Sequence, residues 1–215
     1  MKSVAARKGF RAKRASRSTA SRAAILRAAE HIFAEKGLEG ARTEAIAAAA
    51  GVNKALLYYY FKSKDELCLA ILEGHMKDLL EQASRILSSE GPAGATLLRF
   101  VDMHFDFMST RPDYPRLVQR FMMARGRPFK RLYRKYAWPV GAKLRGLIDR
   151  GVRSGEFRVA DSYHTAISLA ALTSYYFAAA PVLRIVGRAD PYDAAQLARR
   201  KKEVSRLFMW CIYDK

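Results

Sequence analysis

From Ser21 onward, apolar side chains recur at intervals of three and four residues, and no stretch sustains the strict alternation of a half-buried strand. That period predicts an all-α chain of about nine helices. The first spans about 21–36, with Ile25, Ala28, Ala29, Ile32 and Phe33 on one face and Gly37 as its stop. A second opens at Thr43 as N-cap, with Glu44 in its first turn where a carboxylate complements the helix dipole, and ends at Gly51. A short third covers about 54–60 behind Asn53. Ser63 and Glu66 have the spacing of a capping box and start a fourth helix whose pattern continues to about Leu87. Gly91, Pro92 and Gly94 interrupt the pattern, and five more helices follow at about 95–109, 114–125, 128–153, 162–186 and 191–213. Asp190-Pro191 predicts a clean start for the last of them, since proline at the first helical position loses no needed hydrogen bond. Pro139 and Pro181 fall inside periodic stretches and are expected to kink or interrupt their helices.

Charge narrows the partner. The 215 residues carry 39 Lys and Arg against 20 Asp and Glu, a formal +19, which points to a polyanion. Lys2, Arg7, Lys8, Arg11, Lys13, Arg14 and Arg17 crowd the first twenty residues with no acid among them, so 1–20 is expected to be a mobile basic arm. No apolar run approaches the roughly 18 to 20 residues that cross a bilayer, and the start lacks the apolar core of a signal peptide; a cytoplasmic protein without membrane contact is expected. Cys68 and Cys211 belong to no metal-spaced set and are expected as buried packing thiols. His31, His75, His104 and His164 form no metal cluster, and Asp102 and Asp106 share a helical face that His104 does not. With no nucleophile elbow, P-loop or dinucleotide fingerprint, catalysis and cofactors are not expected.

The stretch with chemical content is 43–67, TEAIAAAAGVNKALLYYYFKSKDEL. Two short helices joined through Ala50, Gly51 and Val52 fit a helix-turn-helix, because the tight turn needs a residue that accepts positive φ. Ile46, Ala47, Val52, Leu57 and Phe61 are placed inward, leaving Asn53, Lys54, Ala55, Leu56, Tyr58, Tyr59 and Tyr60 outward or flanking. Three consecutive tyrosines cannot all be core on a 3.6-residue period. An outward tyrosine offers a hydroxyl to phosphates or base edges, Lys54 and Lys64 offer charge, and the helix starts at Thr43 and Ser63 offer backbone N–H groups. The plainer alternative is an amphipathic helix pair with surface tyrosines.

The stretch from about Ala24 to Leu72, with IFAEKGLEG, TEAIAAAAGV, the tyrosine-rich helix and FKSKDEL, resembles the DNA-binding domain of the TetR family. The resemblance implies an N-terminal three-helix helix-turn-helix domain (21–66) and a C-terminal helical domain for effector binding and dimerisation (67–215). It implies a homodimer on a palindromic operator, acting as a repressor that a small molecule releases. It implies phosphate contacts at Thr43, Tyr58, Tyr60 and Lys64, and base-facing positions at Asn53, Lys54, Ala55, Leu56 and Tyr59. Ala55-Leu56 departs from the small glycine-threonine-like pair common there, so the operator sequence is not legible.

Soft and aromatic side chains across the middle helices suit an adaptable apolar pocket, with Met76, Met103, Phe107, Met122, Tyr136 and Tyr175 as candidates and His104 and Gln119 as polar anchors. Each is also compatible with ordinary core. Dimerisation is expected through the last two helices, by Ala166, Ala170, Ser174 and Ala178 at four-residue spacing and by Leu197, Val204, Leu207, Phe208 and Cys211. An architectural DNA binder without effector is the remaining rival.

Overall fold

The computed structural model describes residues 2–124, 127–158, 161–187 and 189–212, with the backbone alone at 2–17, 124 and 211. All regular structure among them is helical: α1 (Lys2–Gly40), α2 (Thr43–Ala49), α3 (Lys54–Tyr60), α4 (Lys64–Leu87), α5 (Ala93–Ser109), α6 (Asp113–Ala124), α7 (Arg127–Leu132), α8 (Trp138–Arg153), α9 (Ser162–Ala178), α10 (Ala180–Val186) and α11 (Ala194–Ile212). The chain divides into two units, 1–72 and 73–215.

Residues 2–20, expected as a mobile arm, continue α1 as helix. Alanine, arginine and lysine dominate the segment and are strong helix formers, and the helix beyond Ser21 supplies the costly nucleus. Gly37 is the stop the sequence predicts: it leaves helical geometry at φ 72°, and a last turn to Gly40 follows the kink. In the first unit α1 packs against α2 and α3, and the buried apolar side chains are Ile25, Ala29 and Phe33 of α1, Ile46 and Ala47 of α2, Leu57 of α3, Phe61, and Leu67, Cys68, Ile71 and Leu72 of α4. Burial pushes the Cys68 thiol far up, as a packing role requires.

The second unit is built round α5, whose Leu97, Phe100, Val101, Phe105, Phe107 and Met108 are all buried, and which packs against α8, α9 and α11. The expected helix over 128–153 is in fact three pieces: α7, a π-helical turn at Tyr133–Ala137, and α8. Pro139 has no N–H for a carbonyl one turn back, and the wider turn, closed by Trp138 N–H to Tyr133 O, absorbs the loss. The expected helix over 162–186 is likewise interrupted: α9 ends at Ala178, Pro181 takes a first-turn position of α10 where its missing N–H costs nothing, and the two helices meet at a bend of 63°. Asp190-Pro191 does not begin the last helix. Its carboxylate accepts from Tyr192 N–H at 2.9 Å, making a turn, and α11 starts only at Ala194. Gly151 of α8 lies against the Phe157 ring so closely that an added Cβ would come within 2.2 Å of it.

Candidate nucleic-acid interface

The turn between α2 and α3 is a full Schellman motif. Val52 N–H reaches Ala47 O at 3.0 Å and Gly51 N–H reaches Ala48 O at 3.1 Å, with Gly51 at φ 65°. Asn53 caps α3, its side-chain oxygen accepting from Leu56 N–H at 2.7 Å. These two devices fix where α3 leaves the turn. Leu57 then anchors α3 inward at 1% exposure, and the residues around it face solvent: Asn53, Lys54 and Ala55 are exposed, Tyr58 is 43% and Tyr59 79% exposed, and Leu56 is half-buried.

Thr43 is the first residue of α2 rather than its cap. Arg42 occupies the cap in an extended conformation with no side-chain bond, because the Thr43 hydroxyl turns sideways to Glu44 and to the Tyr58 hydroxyl at 3.4 Å. Across the motif, Lys54 of α3 is paired with Glu44 of α2 and lies 5.8 Å from the Tyr58 ring. The pair holds the Glu44 carboxyl below and the Lys54 ammonium above their ordinary values. Thr43, Glu44, Lys54 and Tyr58 therefore make one polar cluster on the outer side of both helices.

Two expected contacts are already engaged within the unit. The Tyr60 hydroxyl donates to Ser18, to its Oγ at 2.7 Å and its carbonyl at 3.0 Å, tying α3 to α1. The Lys64 ammonium donates to the carbonyls of Leu38 at 2.7 Å, Ala41 at 3.1 Å and Glu39 at 3.4 Å, where α1 ends. The capping box forms at Ser63, whose Oγ accepts from Glu66 N–H at 3.1 Å; Glu66 reaches back to Lys62 N–H, one residue earlier than the usual partner. Sequence reasoning missed Arg42 and Lys62, both exposed at helix starts, and Glu44 as the partner of Lys54. A cation immediately before α2 is a signal that finds Arg42; nothing local finds a pair ten residues apart.

In the second unit the expected effector residues separate. Met76, His104, Phe107 and Tyr136 are buried and Met103 half-buried, whereas Gln119 is exposed, Met122 is 57% and Tyr175 70% exposed, so these three face away from the core. Their helices turn other faces inward: α6 buries Tyr114 and Leu117, and α9 buries Ala166, Leu169, Thr173 and Phe177. His104 Nδ1 lies 2.9 Å from Thr173 Oγ1, and because that hydroxyl donates to Leu169 O, the imidazole is the donor at Nδ1. Burial lowers the His104 pKa to about 4 and keeps it neutral. Tyr136 donates to Glu73 of α4 at 2.6 Å.

The expected dimer residues also rearrange. Ala166, Val204 and Phe208 are core, and Cys211 lies outside the described side chains. Ser174, Ala178 and Leu197 are half-buried, and Ala170 and Leu207 of the expected set are exposed; α9 also exposes Tyr163, Ile167, Ala171 and Tyr175, and α11 exposes Trp210, at 70%.

A family model for the bacterial regulatory proteins of the tetR family matches residues 25–71, and one for the tetracyclin repressor-like C-terminal domain matches 94–207, more than half of the chain. The chain belongs to the TetR family. As a TetR family protein it is a helix-turn-helix transcriptional regulator that binds DNA. It is 28% identical over 204 residues to the transcriptional regulator RutR of Escherichia coli K12, covering 92% of each chain. It is 28% identical over 174 residues to the transcriptional repressor NicS of Pseudomonas putida, covering 78% of this chain and 79% of that one. Its fold is that of the regulator FadR from Bacillus subtilis, solved in complex with stearoyl-CoA, at a TM-score of 0.69 and 18% identity over 86% of this chain and 96% of that one. These relatives are regulators rather than enzymes. Among the described residues no single helix is long and apolar enough to cross a membrane.

Proposed function

We propose that this TetR family regulator is a cytoplasmic, homodimeric repressor that sets one α3 from each protomer into successive major grooves of a palindromic operator and leaves it when an effector binds the second unit. The observation that carries the reading is the outer face of α3, where Asn53, Lys54, Ala55, Tyr58 and Tyr59 stand exposed over a single buried anchor, Leu57. Such a face presents an amide and an ammonium for base edges, a methyl and a ring for thymine methyls, and a phenol for phosphate. The α2 start, with Arg42 and Thr43, supplies N–H groups and a cation for the backbone. Tyr60 and Lys64 support this face from inside by fixing α1 against α3 and α4.

The apolar stripe of α9 and the Leu207 and Trp210 side chains of α11 are the dimer surface; a closed pair of such patches is isologous. The largely apolar effector is held among buried side chains near Met76, His104, Phe107 and Tyr136, in keeping with the stearoyl-CoA complex of FadR, which shares the fold. Helix α4 continues without a break from Lys64 to Leu87, so its displacement at Met76 carries to the capping box. Half-sites about 34–36 Å apart tolerate little change of that kind.

The test is fluorescence anisotropy on DNA from upstream of the gene. Tyr59→Ala is expected to abolish the preference for operator over scrambled duplex while leaving the circular-dichroism melt unchanged. Full retention of that preference refutes α3 as the reading helix.

A further inference from the structure

Between Asp113 and Asp149 the chain has no carboxylate, while Lys and Arg occur ten times. Five of these, Arg127, Lys130, Arg131, Arg134 and Lys135, line one cleft of about 620 Å³ on α7 and the π-helical turn that follows it. Their spacing of three and four residues stacks them on one helical face, and all five are exposed. Like charges one turn apart destabilise a helix, so this arrangement works against the element that carries it. Elsewhere in the unit several cations face carboxylates: Lys201 faces Asp102 and Asp106, Arg206 faces Glu203 and Arg184 faces Asp190. In the cleft, among the described residues, only Lys135 has a carboxylate within 4 Å, Glu73 at 3.1 Å. Four cations are left facing one concavity.

We infer that this cleft binds a small ligand through a diphosphate or equally charged phosphate group. Three guanidiniums on one face offer planar forks that match phosphate oxygens in bidentate fashion, and the lysines add point charge. Four unanswered positive charges match a diphosphate better than a single carboxylate. The volume lies within the range of small-molecule sites, and an open groove confined to residues 127–135 of one helical segment is matched in length to a small anion rather than to an extended duplex backbone. Lys135 is shared with Glu73, which also accepts from Tyr136, so a phosphate that draws Lys135 away leaves Glu73 of α4 with the tyrosine alone. That last link rests on the effector reading proposed above; the binding site itself does not.

The experiment is calorimetric titration of the full-length protein with inorganic pyrophosphate at low salt, with circular dichroism confirming that each variant is folded. Saturable binding at one site per chain is expected, weakened roughly tenfold or more by Arg131→Glu with Arg134→Glu, weakened less by the Gln pair, and unchanged by Lys202→Glu on α11. Equal binding by the double variant refutes the site. So does absence of pyrophosphate binding when anionic phosphatidylglycerol vesicles or unrelated duplex DNA bind in a way that depends on Arg131 and Arg134. Pyrophosphate competing with those vesicles for the wild-type protein supports a shared phosphate site. Operator affinity measured with saturating pyrophosphate separates the two readings: if it is unchanged while pyrophosphate binds through Arg131 and Arg134, the site stands and its role as an effector site falls.

Discussion

Replacing Gly51 by alanine isolates the backbone requirement of the helix-turn-helix. Nothing lies within 4 Å of a Cβ built at Gly51, so the substitution creates no clash and its whole cost is conformational. Holding an L-residue at φ 65° costs about 1–2 kcal/mol, and alanine's smaller unfolded-state entropy returns about 0.4–1 kcal/mol. The net is a destabilisation of about 1 kcal/mol, read as a lower urea midpoint by circular dichroism at unchanged slope. Gly51→Asn should lose about half as much, because asparagine tolerates the left-handed region. Operator affinity should fall further than stability does in the alanine variant, since relaxing the two Schellman bonds re-aims α3. If alanine is neutral, or asparagine is as damaging as alanine, left-handed backbone is not what this position demands.

Lys64→Met keeps the stem but removes a charged donor from the carbonyls of Leu38, Glu39 and Ala41, and should cost about 1–2 kcal/mol in urea unfolding for a half-buried group. Gly151→Ala drives a Cβ into the Phe157 ring and should cost about 1–3 kcal/mol, with Phe157→Leu in the same chain recovering part of it. Since the His104 pKa in the folded state, about 4, lies below the unfolded value near 6.5, its contribution is complete above pH ~6.5 and declines as pH falls toward 4. The slope is at most about 1.4 kcal/mol per pH unit, and His104→Gln should flatten the melting-temperature profile over that window. If the proposed dimer surface is right, the unmodified protein should scatter as twice 24.2 kDa, and Ile167→Glu combined with Trp210→Glu should leave a 24.2 kDa species.

Helix periods and several caps were legible in the sequence because they are local, although the caps expected at Thr43 and Asp190 are not formed. Gly37, Gly51, Asn53 and the Ser63–Glu66 box each act within four residues, and all sit where the pattern puts them. Contacts that close over long separations were not: Lys64 to the end of α1 and Tyr60 to Ser18 depend on how helices pack, which no window of sequence contains. Faces failed for a different reason. Helix α9 carries apolar residues all round, so its period does not say which stripe is core, and the stripe through Ala166 and the stripe through Ile167 are indistinguishable until Phe177 and Leu169 are seen buried. The break at Pro139 was legible as a break, but its form, a widened turn rather than a kink, depends on which carbonyls find new donors.

The Lys54–Glu44 pair and the Lys64 cap together change how ionic strength should act on operator binding. A cation that already faces a carboxylate or a row of carbonyls has shed part of its ionic atmosphere before any duplex arrives, and a phosphate that takes Lys54 must displace Glu44, whose charge then stays close by. Each phosphate neutralised by a free cation contributes about −0.9 to the slope of log affinity against log salt. Neither lysine should supply a full increment, so the slope should be shallower than the number of lysines and arginines around α3 suggests. The same exchange works against indiscriminate duplexes: Glu44 repels any backbone that arrives without base contacts good enough to offset it, and Glu44→Gln should raise affinity for random DNA more than for the operator.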